Sequence, residues 1–402
     1  MSTVASVIDE SSPRYAGWRV VVACFLVALF CWGFALYGHG VYLTELHRLH
    51  GWPTAAISGG VTGFYLLTAT LVVFISDVIA RLGPKRVMLA GACCFGGAVV
   101  LLAFIDALWQ LYFVYLLMAF GAATMHVGAI STVVGLWFNR QRGLALSLAL
   151  NGASSGGILI TPLLVLAIAS YGFTNAILGA AILMALVLLP AIVFWIDRPA
   201  AVVPPPGAAP AAAAGTRAAA LRSTAFWSVA APFAMALTAQ VGFLVHQIAI
   251  AEPTTGRAHA GFSVAALTVA AILGRFVLGA FANRLDMRRF TAWSLLSQAI
   301  ALLAIMATSN EIALMAACFV FGLSAGNLIT LPSLVIQREF EAASFGMLVG
   351  LSWAVSQITY SFGPGAMGVI RDVTGGYTAS LALCVALDLM AAILIVMWRP
   401  RP

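Results

Sequence analysis

Long runs of apolar residues, separated by short polar connections, make up most of the chain. A helix needs about 20 apolar residues to cross a hydrocarbon core of about 30 Å, and its backbone groups must be hydrogen-bonded within the segment. Twelve runs have this length, at residues 17–44, 54–80, 86–105, 108–137, 142–170, 174–196, 224–251, 261–283, 288–308, 310–336, 343–370 and 376–398. The pattern therefore predicts an all-α integral membrane protein with twelve transmembrane helices.

The composition supports this fold class, and the charges give an orientation. Hydrophobic residues make up 62% of the chain and charged residues 8%, whereas about 25% of the residues of a soluble domain are charged. Of the 20 Lys and Arg residues, sixteen fall on the side of the two termini. The other side has Arg48, Arg257 and Arg371, and Arg275 lies inside a predicted helix. Because positive loops face the cytoplasm, both termini are expected there, and the net charge of +7 does not indicate nucleic-acid binding.

A polar motif occurs twice, about half the chain length apart. Ser76–Arg86 and Gly279–Arg289 each follow an apolar run with a small residue, a polar group, an Arg and a closing basic pair. Duplicated halves around a central site are common in secondary transporters. We therefore expect two pseudo-symmetric six-helix bundles. The predicted parts are a tail at 1–16, bundles at 17–197 and 223–398, a Pro/Ala-rich cytoplasmic linker at 198–222 and a tail at 399–402.

Two further features narrow the class of protein. The six cysteines all fall within apolar runs, which argues against a disulfide framework or a zinc site, and we expect neither a metal nor a cofactor. The first apolar run is too long for a cleaved signal peptide. An alanine- and arginine-rich chain with a single lysine indicates a bacterial inner membrane protein, expected to act as a monomer in the lipid bilayer.

The repeated motif resembles the loop motif of the major facilitator superfamily, Gly-x-x-x-Asp-Arg-x-Gly-x-Arg-Arg. In that family the acid and Arg form a cytoplasmic latch between the bundles. The second copy matches at Gly279, Arg284, Arg288 and Arg289, with Asn283 in place of the acid. The first copy keeps Arg81, Gly83, Lys85 and Arg86 but has Ala80 at the acid position. Asp77, one turn earlier, is the candidate substitute, and the resemblance implies a gating role for these residues.

Three stretches are similar to the monocarboxylate transporter family and its bacterial relatives, including the oxalate–formate exchanger. They are Trp137–Gly152, which contains Arg140 and Arg142, Gly17–Val21, and Arg275–Asn283. In that family the Arg of the third stretch anchors the substrate carboxylate. Two departures concern the family's proton relay: Ala271 stands where the animal carriers have an Asp, and Leu36 where they have a Lys.

Arg275 is the strongest candidate for substrate binding. It falls near the middle of its predicted helix, where a charge costs at least about 3 kcal/mol and usually marks a site or pathway. Its guanidinium stays charged and matches a carboxylate through two donors. The alternative is a structural role, with the guanidinium held by helix carbonyls, by water or by Asp388.

Polar residues in four other helices form a second group of candidates. His39, His126, His246 and Asn327 fall in helices 1, 4, 7 and 10, which the family resemblance places around the central cavity. Aligning the two halves makes His126 and Asn327 repeat mates near mid-membrane, whereas His39 and His246 lie nearer the outer side and suit a gate or selectivity layer. A histidine could also carry a coupled proton. Shared metal ligation is disfavoured because His39 and His246 are displaced along the axis by about 10–15 Å from mid-membrane, too far from His126.

Helices 5 and 11 supply the remaining candidates. Gln357 and Tyr360 lie on one face of a broken helix, and Asn151 falls in helix 5. Each is a candidate substrate contact, and each is equally explained as a hydrogen bond between helices. Asp388 is the acid deepest in a span; it is more consistent with packing, since helix 12 is peripheral in the family fold.

These features predict a secondary transporter for a small organic monoanion of the monocarboxylate type. One fixed positive charge neutralises one carboxylate, and a second carboxylate would be left buried and unpaired. We expect proton-coupled uptake by alternating access around Arg275. The main alternative is an exporter of drugs or hydrophobic metabolites on the same fold. A membrane sensor and a metal or metal-chelate transporter are weaker alternatives, and no catalytic pairing points to an enzyme.

Overall fold

The computed structural model describes residues 10, 12, 14–197, 217–281, 284–341 and 344–398, and these are almost entirely helical. They form twelve membrane segments, numbered α1 to α12, and a short helix, Arg217–Arg222, that precedes α7. The segments are α1 (Gly17–His50), α2 (Thr54–Leu82), α3 (Pro84–Leu102), α4 (Leu108–Trp137), α5 (Arg142–Tyr171), α6 (Phe173–Trp195), α7 (Thr224–Thr255), α8 (Ala260–Phe281), α9 (Met287–Ala307), α10 (Glu311–Ala325 and Leu331–Glu339), α11 (Phe345–Tyr360 and Phe362–Thr374) and α12 (Thr378–Met397). The predicted all-α fold with twelve segments is confirmed.

Among the described residues, eleven of these segments contain a helical stretch long and apolar enough to cross a membrane, and α11 is the exception. Its helix is interrupted at Ser361, whose hydroxyl donates a hydrogen bond to the Gln357 carbonyl at 2.6 Å. Pro364 follows, and because proline has no backbone N–H it cannot donate to the carbonyl of Tyr360. The two pieces of α11 together cover the twelfth predicted run.

The helices pack first within each half and then across the interface between halves. In the N-terminal half α1 packs on α5 and α4 packs on α2 and α3; in the C-terminal half α7 packs on α11 and α12, and α8 on α10. The halves meet through three helix pairs: α2 with α11, α1 with α7, and α5 with α8. Helices from both halves therefore surround the centre of the molecule.

Glycines bring α8 and α10 into backbone contact. A Cβ atom on Gly274 would lie 2.0 Å from the Leu323 carbonyl oxygen, and one on Gly326 would lie 2.0 Å from that of Ala271. Small residues of this kind let helix backbones approach closely in membranes. The contact fixes the depth of Arg275, the residue after Gly274, relative to α10.

Four local irregularities lie along the helices around the centre. π-helical turns occur at Gly33–Tyr37 in α1 and Gly156–Ile160 in α5, and these two turns contact each other. The backbone of α4 is extended at His126, and α10 contains a 3-10 turn at Asn327–Ile329. The predicted repeat mates His126 and Asn327 thus both lie at helix interruptions. Because interruptions free backbone groups and redirect side chains, they are common at functional sites.

The two ends of the bundle are distinguished by what they carry. We call the end that holds residues 14–16 and Trp398 the terminus end, and the opposite end, with the α1–α2, α7–α8 and α11–α12 connections, the loop end. At the terminus end the Tyr15 hydroxyl donates to the Trp137 carbonyl. Burial raises the pKa of Tyr15, and nearby Glu10 raises it further, so the phenol stays protonated as a donor.

Arg288, the first of the basic pair that closes the second motif copy, is fixed inside the C-terminal half at the terminus end. Its guanidinium is 2% exposed and donates two hydrogen bonds to Glu339, both of 2.7 Å. It also donates to the Ser228 hydroxyl at 2.8 Å and to the Ile395 carbonyl at 3.0 Å. Arg288 therefore joins α7, α9, α10 and α12.

The other residues predicted to act in gating lie mostly on the surface of the terminus end. Asp77, Arg81, Arg86, Arg140, Arg142 and Arg284 are exposed. Gly83 has a φ of 89° and ends α2, which explains glycine at that position. Gly279 lies within α8, and Asn283 falls outside the described residues. No ion pair links Asp77 to an Arg within the described ranges, so their proposed latch stays a prediction.

Candidate substrate site

A cavity of about 160 Å³ lies between the two halves at the centre of the molecule. Its wall is formed by α1, α2 and α4 from one half and by α7, α10 and α11 from the other. We call it the central cavity. Its lining residues are Cys31, Trp32, Ala35, Leu36, Phe64, Tyr65, Thr68, Ala122, His126, Val127, Leu237, Gln240, Val241, Leu244, Ile329, Trp353, Gln357 and Tyr360. Most are apolar or aromatic, with a few polar groups, as is usual for a small-molecule site.

Three of the predicted binding residues line this cavity. His126 stacks on Trp32 with ring centroids 5.1 Å apart and planes at 25°, which holds the imidazole at the wall. Gln357 has a buried side-chain nitrogen without a hydrogen-bond partner in the described structure. Tyr360 meets Tyr65 edge to face at 5.6 Å. His126, Gln357 and Tyr360 are therefore brought together from both halves and can offer hydrogen bonds to a bound molecule.

Arg275 is not among the residues that line the cavity; it lies in the interface where α8 meets α5. Its guanidinium is partly buried and donates a hydrogen bond to the Ser154 hydroxyl in the other half. Within the described residues no carboxylate forms an ion pair with Arg275. Among the described residues, the side-chain partner shown for this charge is the Ser154 hydroxyl.

The remaining predicted binding residues do not line the cavity. His246 is buried in the C-terminal half, where its Nε2 donates to the Pro364 carbonyl at 3.0 Å and its Nδ1 accepts from the Tyr377 hydroxyl at 3.1 Å. Asn151 is half-buried on α5. The Asn327 amide donates to the Leu323 carbonyl at 3.1 Å, while its oxygen is buried without a partner in the described structure. A direct role for these residues in binding stays a prediction.

His39 also lies outside the cavity wall, at a separate buried position. It is 0% exposed, and neither ring nitrogen has a hydrogen-bond partner in the described part of the chain. Its neighbours are aromatic rings of α1, α2 and α4. Sequence position gave no indication of this enclosure, because the rings come from three different segments.

Several residues of the cavity could not be identified from the sequence. Trp32, Tyr65, Gln240 and Trp353 line it, although aromatic residues in a membrane helix usually face lipid or pack between helices. Gln240 accepts a hydrogen bond from Gln298 at 3.4 Å. A polar amide inside an apolar run is the signal that could have singled out Gln240.

A network of charges closes the loop end. In the sequence its cations, Arg48 and Arg257, indicate only the orientation in the membrane. Glu45 in α1 binds Arg48 at 2.7 Å and, across the interface, Arg257 at 2.8 Å. Arg48 also binds Glu252 of the other half. We call these four residues the loop-end network. Glu45 is buried and the other three charges are partly exposed. The pairs across the two halves favour the closed loop end, although an exposed pair such as Arg48–Glu252 contributes only about 0–1 kcal/mol.

A second contact across the halves lies beside this network. The Asp372 carboxylate accepts a hydrogen bond of 2.6 Å from the backbone N–H of Ala55, in the first turn of α2. A carboxylate is stabilised at a helix N-terminus by the unpaired N–H groups and the helix dipole. Arg371 binds Asp372 at 2.9 Å and donates to His47 at 3.5 Å. The described structure is therefore a conformation with the loop end closed.

This arrangement, two six-helix halves around a central cavity with one end closed, defines a membrane transporter. The sequence profile of the Major Facilitator Superfamily matches residues 23–252. The chain therefore belongs to that superfamily, and it is a transporter and not an enzyme.

Individual relatives are similar along most of the chain. An uncharacterized MFS-type transporter of Bacillus subtilis, YcxA, is 23% identical over 402 residues, covering 96% of this chain and 95% of its own. Human monocarboxylate transporter 11 is 27% identical over 340 residues, covering 80% and 70%. Among solved structures, a bacterial homolog to the human lysosomal transporter Spinster, in an inward-facing and unoccupied conformation, has a TM-score of 0.72 at 17% identity, covering 96% of both chains. At that identity the structural match supports the fold alone.

Proposed function

We propose that the protein takes up a small organic monoanion of the monocarboxylate type together with a proton. The observation that carries this proposal is the state of Arg275. A guanidinium remains charged at any physiological pH, and a charge in a membrane interior is stable only with a partner. Among the described residues, this charge lies in the interface between halves and is met by Ser154 and not by an acid. A carboxylate entering from the cavity would complete its coordination.

The surroundings favour one negative charge on an apolar body. The cavity wall is mainly aromatic and aliphatic, with His126, Gln357 and Tyr360 as polar groups. A single guanidinium balances one carboxylate, and a second would have to be buried without a counter-charge. The similarity to relatives named monocarboxylate transporters agrees with this substrate class.

The proposal extends to orientation and mechanism. We place both termini, and so the terminus end, in the cytoplasm of a bacterial inner membrane, supported by the distribution of Lys and Arg. The halves 17–197 and 223–398, joined by the linker 198–222, would rock about the central cavity as units. The substrate would then enter at the loop end, once the ion pairs of the loop-end network separate. The protein would act as a monomer.

The test uses purified protein in proteoliposomes and a panel of labelled lactate, pyruvate, propionate and benzoate. Arg275→Gln removes the charge while keeping a donor for Ser154. Because hydrogen bonds to charged groups contribute about 1.5–3 kcal/mol, uptake should fall about 10- to 100-fold. Ser154→Ala keeps the charge and should retain uptake, and Arg19→Ala, at an exposed position, controls for loss of a cation elsewhere. Uptake by Arg275→Gln close to that of the unmodified protein would refute the anchor.

The apolar wall also favours a second candidate, an exporter of hydrophobic molecules on the same fold. The central cavity presents Trp32, Phe64 and Trp353, which suit a large apolar solute as well as a small acid. A neutral or cationic dye that is transported by both the unmodified protein and Arg275→Gln would favour export of hydrophobic compounds over the monoanion.

A further inference from the structure

His39 is an exception to the rule that buried polar groups are hydrogen-bonded. It lies in α1, is 0% exposed, and has two ring nitrogens without a partner in the described part of the chain. Leaving a buried polar group without a partner costs about 1–3 kcal/mol. A group that persists under this cost is a candidate for a role in which it binds something transiently.

Four aromatic rings enclose the imidazole. The centroid of His39 lies 4.7 Å from that of Phe64, 5.0 Å from Tyr115, 5.8 Å from Tyr65 and 6.3 Å from Tyr42. The hydroxyls of the three tyrosines are buried and also lack partners among the described residues. Aromatic rings within about 6 Å of a cation attract it through their quadrupoles. This aromatic box, defined by these four residues, can therefore hold an imidazolium as well as an imidazole.

The box lies between two cavities. Leu36, one turn before His39, lines the central cavity, and so do Phe64 and Tyr65 of the box. Leu43, one turn after His39, lines a cavity of about 610 Å³ at the loop end. At about 1.5 Å per residue, Leu36 and Leu43 are about 10 Å apart along the helix. His39 thus occupies the barrier between two spaces, and a small movement of the box would expose it to either.

The titratable neighbours of His39 are few. From α1 it faces Tyr42, from α2 Tyr65 and from α4 Tyr115, with Tyr360 of α11 behind Tyr65. The acid nearest along α1, Glu45, is bound by two arginines. Because no acid faces His39 directly among the described residues, an imidazolium in the box would be held by the aromatic rings without a counter-charge, and its proton must arrive from water at one of the two cavities.

We propose that His39 is the proton-binding group of the transport cycle. With the loop end open, the imidazole takes a proton from water and becomes an imidazolium held by the aromatic box. When the central cavity opens to the terminus side, the imidazolium returns that proton to water. One proton and one monoanion on Arg275 then cross together with no net charge. This inference rests on the proposed function, because it assumes a coupled anion.

The experiment compares two quantities in proteoliposomes, with the anion of the panel that the unmodified protein transports best. The first is accumulation driven by an inside-alkaline pH gradient, and the second is exchange of labelled for unlabelled anion without a gradient. His39→Gln keeps a polar side chain but does not titrate near neutral pH. With a gradient of one pH unit, which supplies a factor of about ten, the ratio of accumulation to exchange should fall by up to about 10-fold in His39→Gln.

The control is Asp388→Asn, which removes a different buried titratable group, a carboxyl that also lacks a hydrogen-bond partner among the described residues. It should keep the ratio. An unchanged ratio in His39→Gln would overturn the inference, and loss of the ratio only in Asp388→Asn would place the coupling group in α12. If His39→Gln does not fold, Tyr115→Leu removes one aromatic ring of the box instead, and its uptake should show a shifted pH midpoint; an unshifted midpoint would equally overturn the inference.

These outcomes separate the inference from the proposed function. If the unmodified protein transports no anion of the panel, the proposed substrate class fails. If it exchanges an anion but does not accumulate it along a pH gradient, the proton coupling fails. If it accumulates the anion and His39→Gln does so equally, the role of His39 alone is refuted.

Discussion

Gly368 lies where α11 presses on α2 across the interface between the two halves, close to the loop end. A Cβ atom there would lie 2.0 Å from the Ser58 hydroxyl oxygen, and 3.0 Å from both the Ala55 Cα and the Thr54 carbonyl oxygen. Ser58 is 0% exposed and its hydroxyl donates to the Thr54 carbonyl at 2.7 Å. A methyl group at residue 368 would therefore displace that hydroxyl and push the α2 backbone away.

The change Gly368→Ala should consequently destabilise the closed loop end. Inserting a methyl group into a well-packed contact costs about 1–3 kcal/mol, and this cost disappears when α2 and α11 separate. Since 1.4 kcal/mol is a factor of ten, the equilibrium between closed and open loop ends should move about 5- to 150-fold toward the open state. A double variant that combines Gly368→Ala with Ser58→Ala also removes the hydroxyl. It should restore part of the closed population, because residues 368 and 58 are in contact and their effects are coupled.

The assay is a distance measurement between spin labels at Leu49 and Val373. These residues lie at the loop-end ends of α1 and α11, are 55% and 80% exposed, and belong to different halves. Cys93, exposed on α3, is replaced by Ala in all samples so that it does not react. Longer distances should become more populated in Gly368→Ala.

The matched control is Gly350→Ala in the first piece of α11, where a Cβ would meet nothing within 4 Å. It changes the same residue type in the same segment, so it should leave the distances between Leu49 and Val373 unchanged. An unaltered distribution in Gly368→Ala would show that α2 and α11 do not separate at this contact during transport. The loop end would then open elsewhere or not at all.

Two further predictions concern the terminus end and the cavity wall. Glu339→Gln leaves Arg288 buried without a counter-charge, and because Glu339 itself is partly exposed the loss of stability should be about 1–3 kcal/mol, less than the 3–5 kcal/mol of a fully buried pair. Thermal unfolding in detergent should therefore show a lower Tm than for the control Glu341→Gln, which changes an exposed residue. Equal Tm values would contradict the role of this ion pair. His126→Phe keeps a ring stacked on Trp32 but removes both ring nitrogens. KM for the transported anion should rise about 2- to 10-fold, the value of one hydrogen bond, while Tm stays unchanged. An unchanged KM would show that His126 serves only in packing.

The sequence was a good guide to local features that depend on the membrane. The apolar runs predicted the twelve segments because the bilayer requires about 20 apolar residues per helix, whatever the neighbouring helices are. The sequence also singled out Arg275 and His126, since a charged or polar residue inside an apolar run stands out in a single chain. The break in α11 was also indicated, by Gly363, Pro364 and Gly365. The interruptions at His126 and Asn327 were not visible, because they leave the hydropathy of the run unchanged.

The tertiary structure decided which polar residues meet. His246 and His39 look alike in the sequence, yet in the described part of the chain His246 has both ring nitrogens hydrogen-bonded and His39 has neither. The difference comes from Pro364 and Tyr377, far along the chain from His246, and from rings that three separate helices bring around His39. Glu45 and Arg257 likewise form an ion pair across the two halves, and no local pattern specifies that pairing.

The sequence by itself thus determined the fold class and the number of membrane segments, and it predicted that Arg275 falls near the middle of its helix. These follow from the transfer of each segment from water to lipid, which depends on its own residues. The partners of Arg275, the wall of the central cavity and the enclosure of His39 were decided only in the folded protein. They depend on distances between helices, and those distances are set by close packing such as that of Gly274 against Leu323.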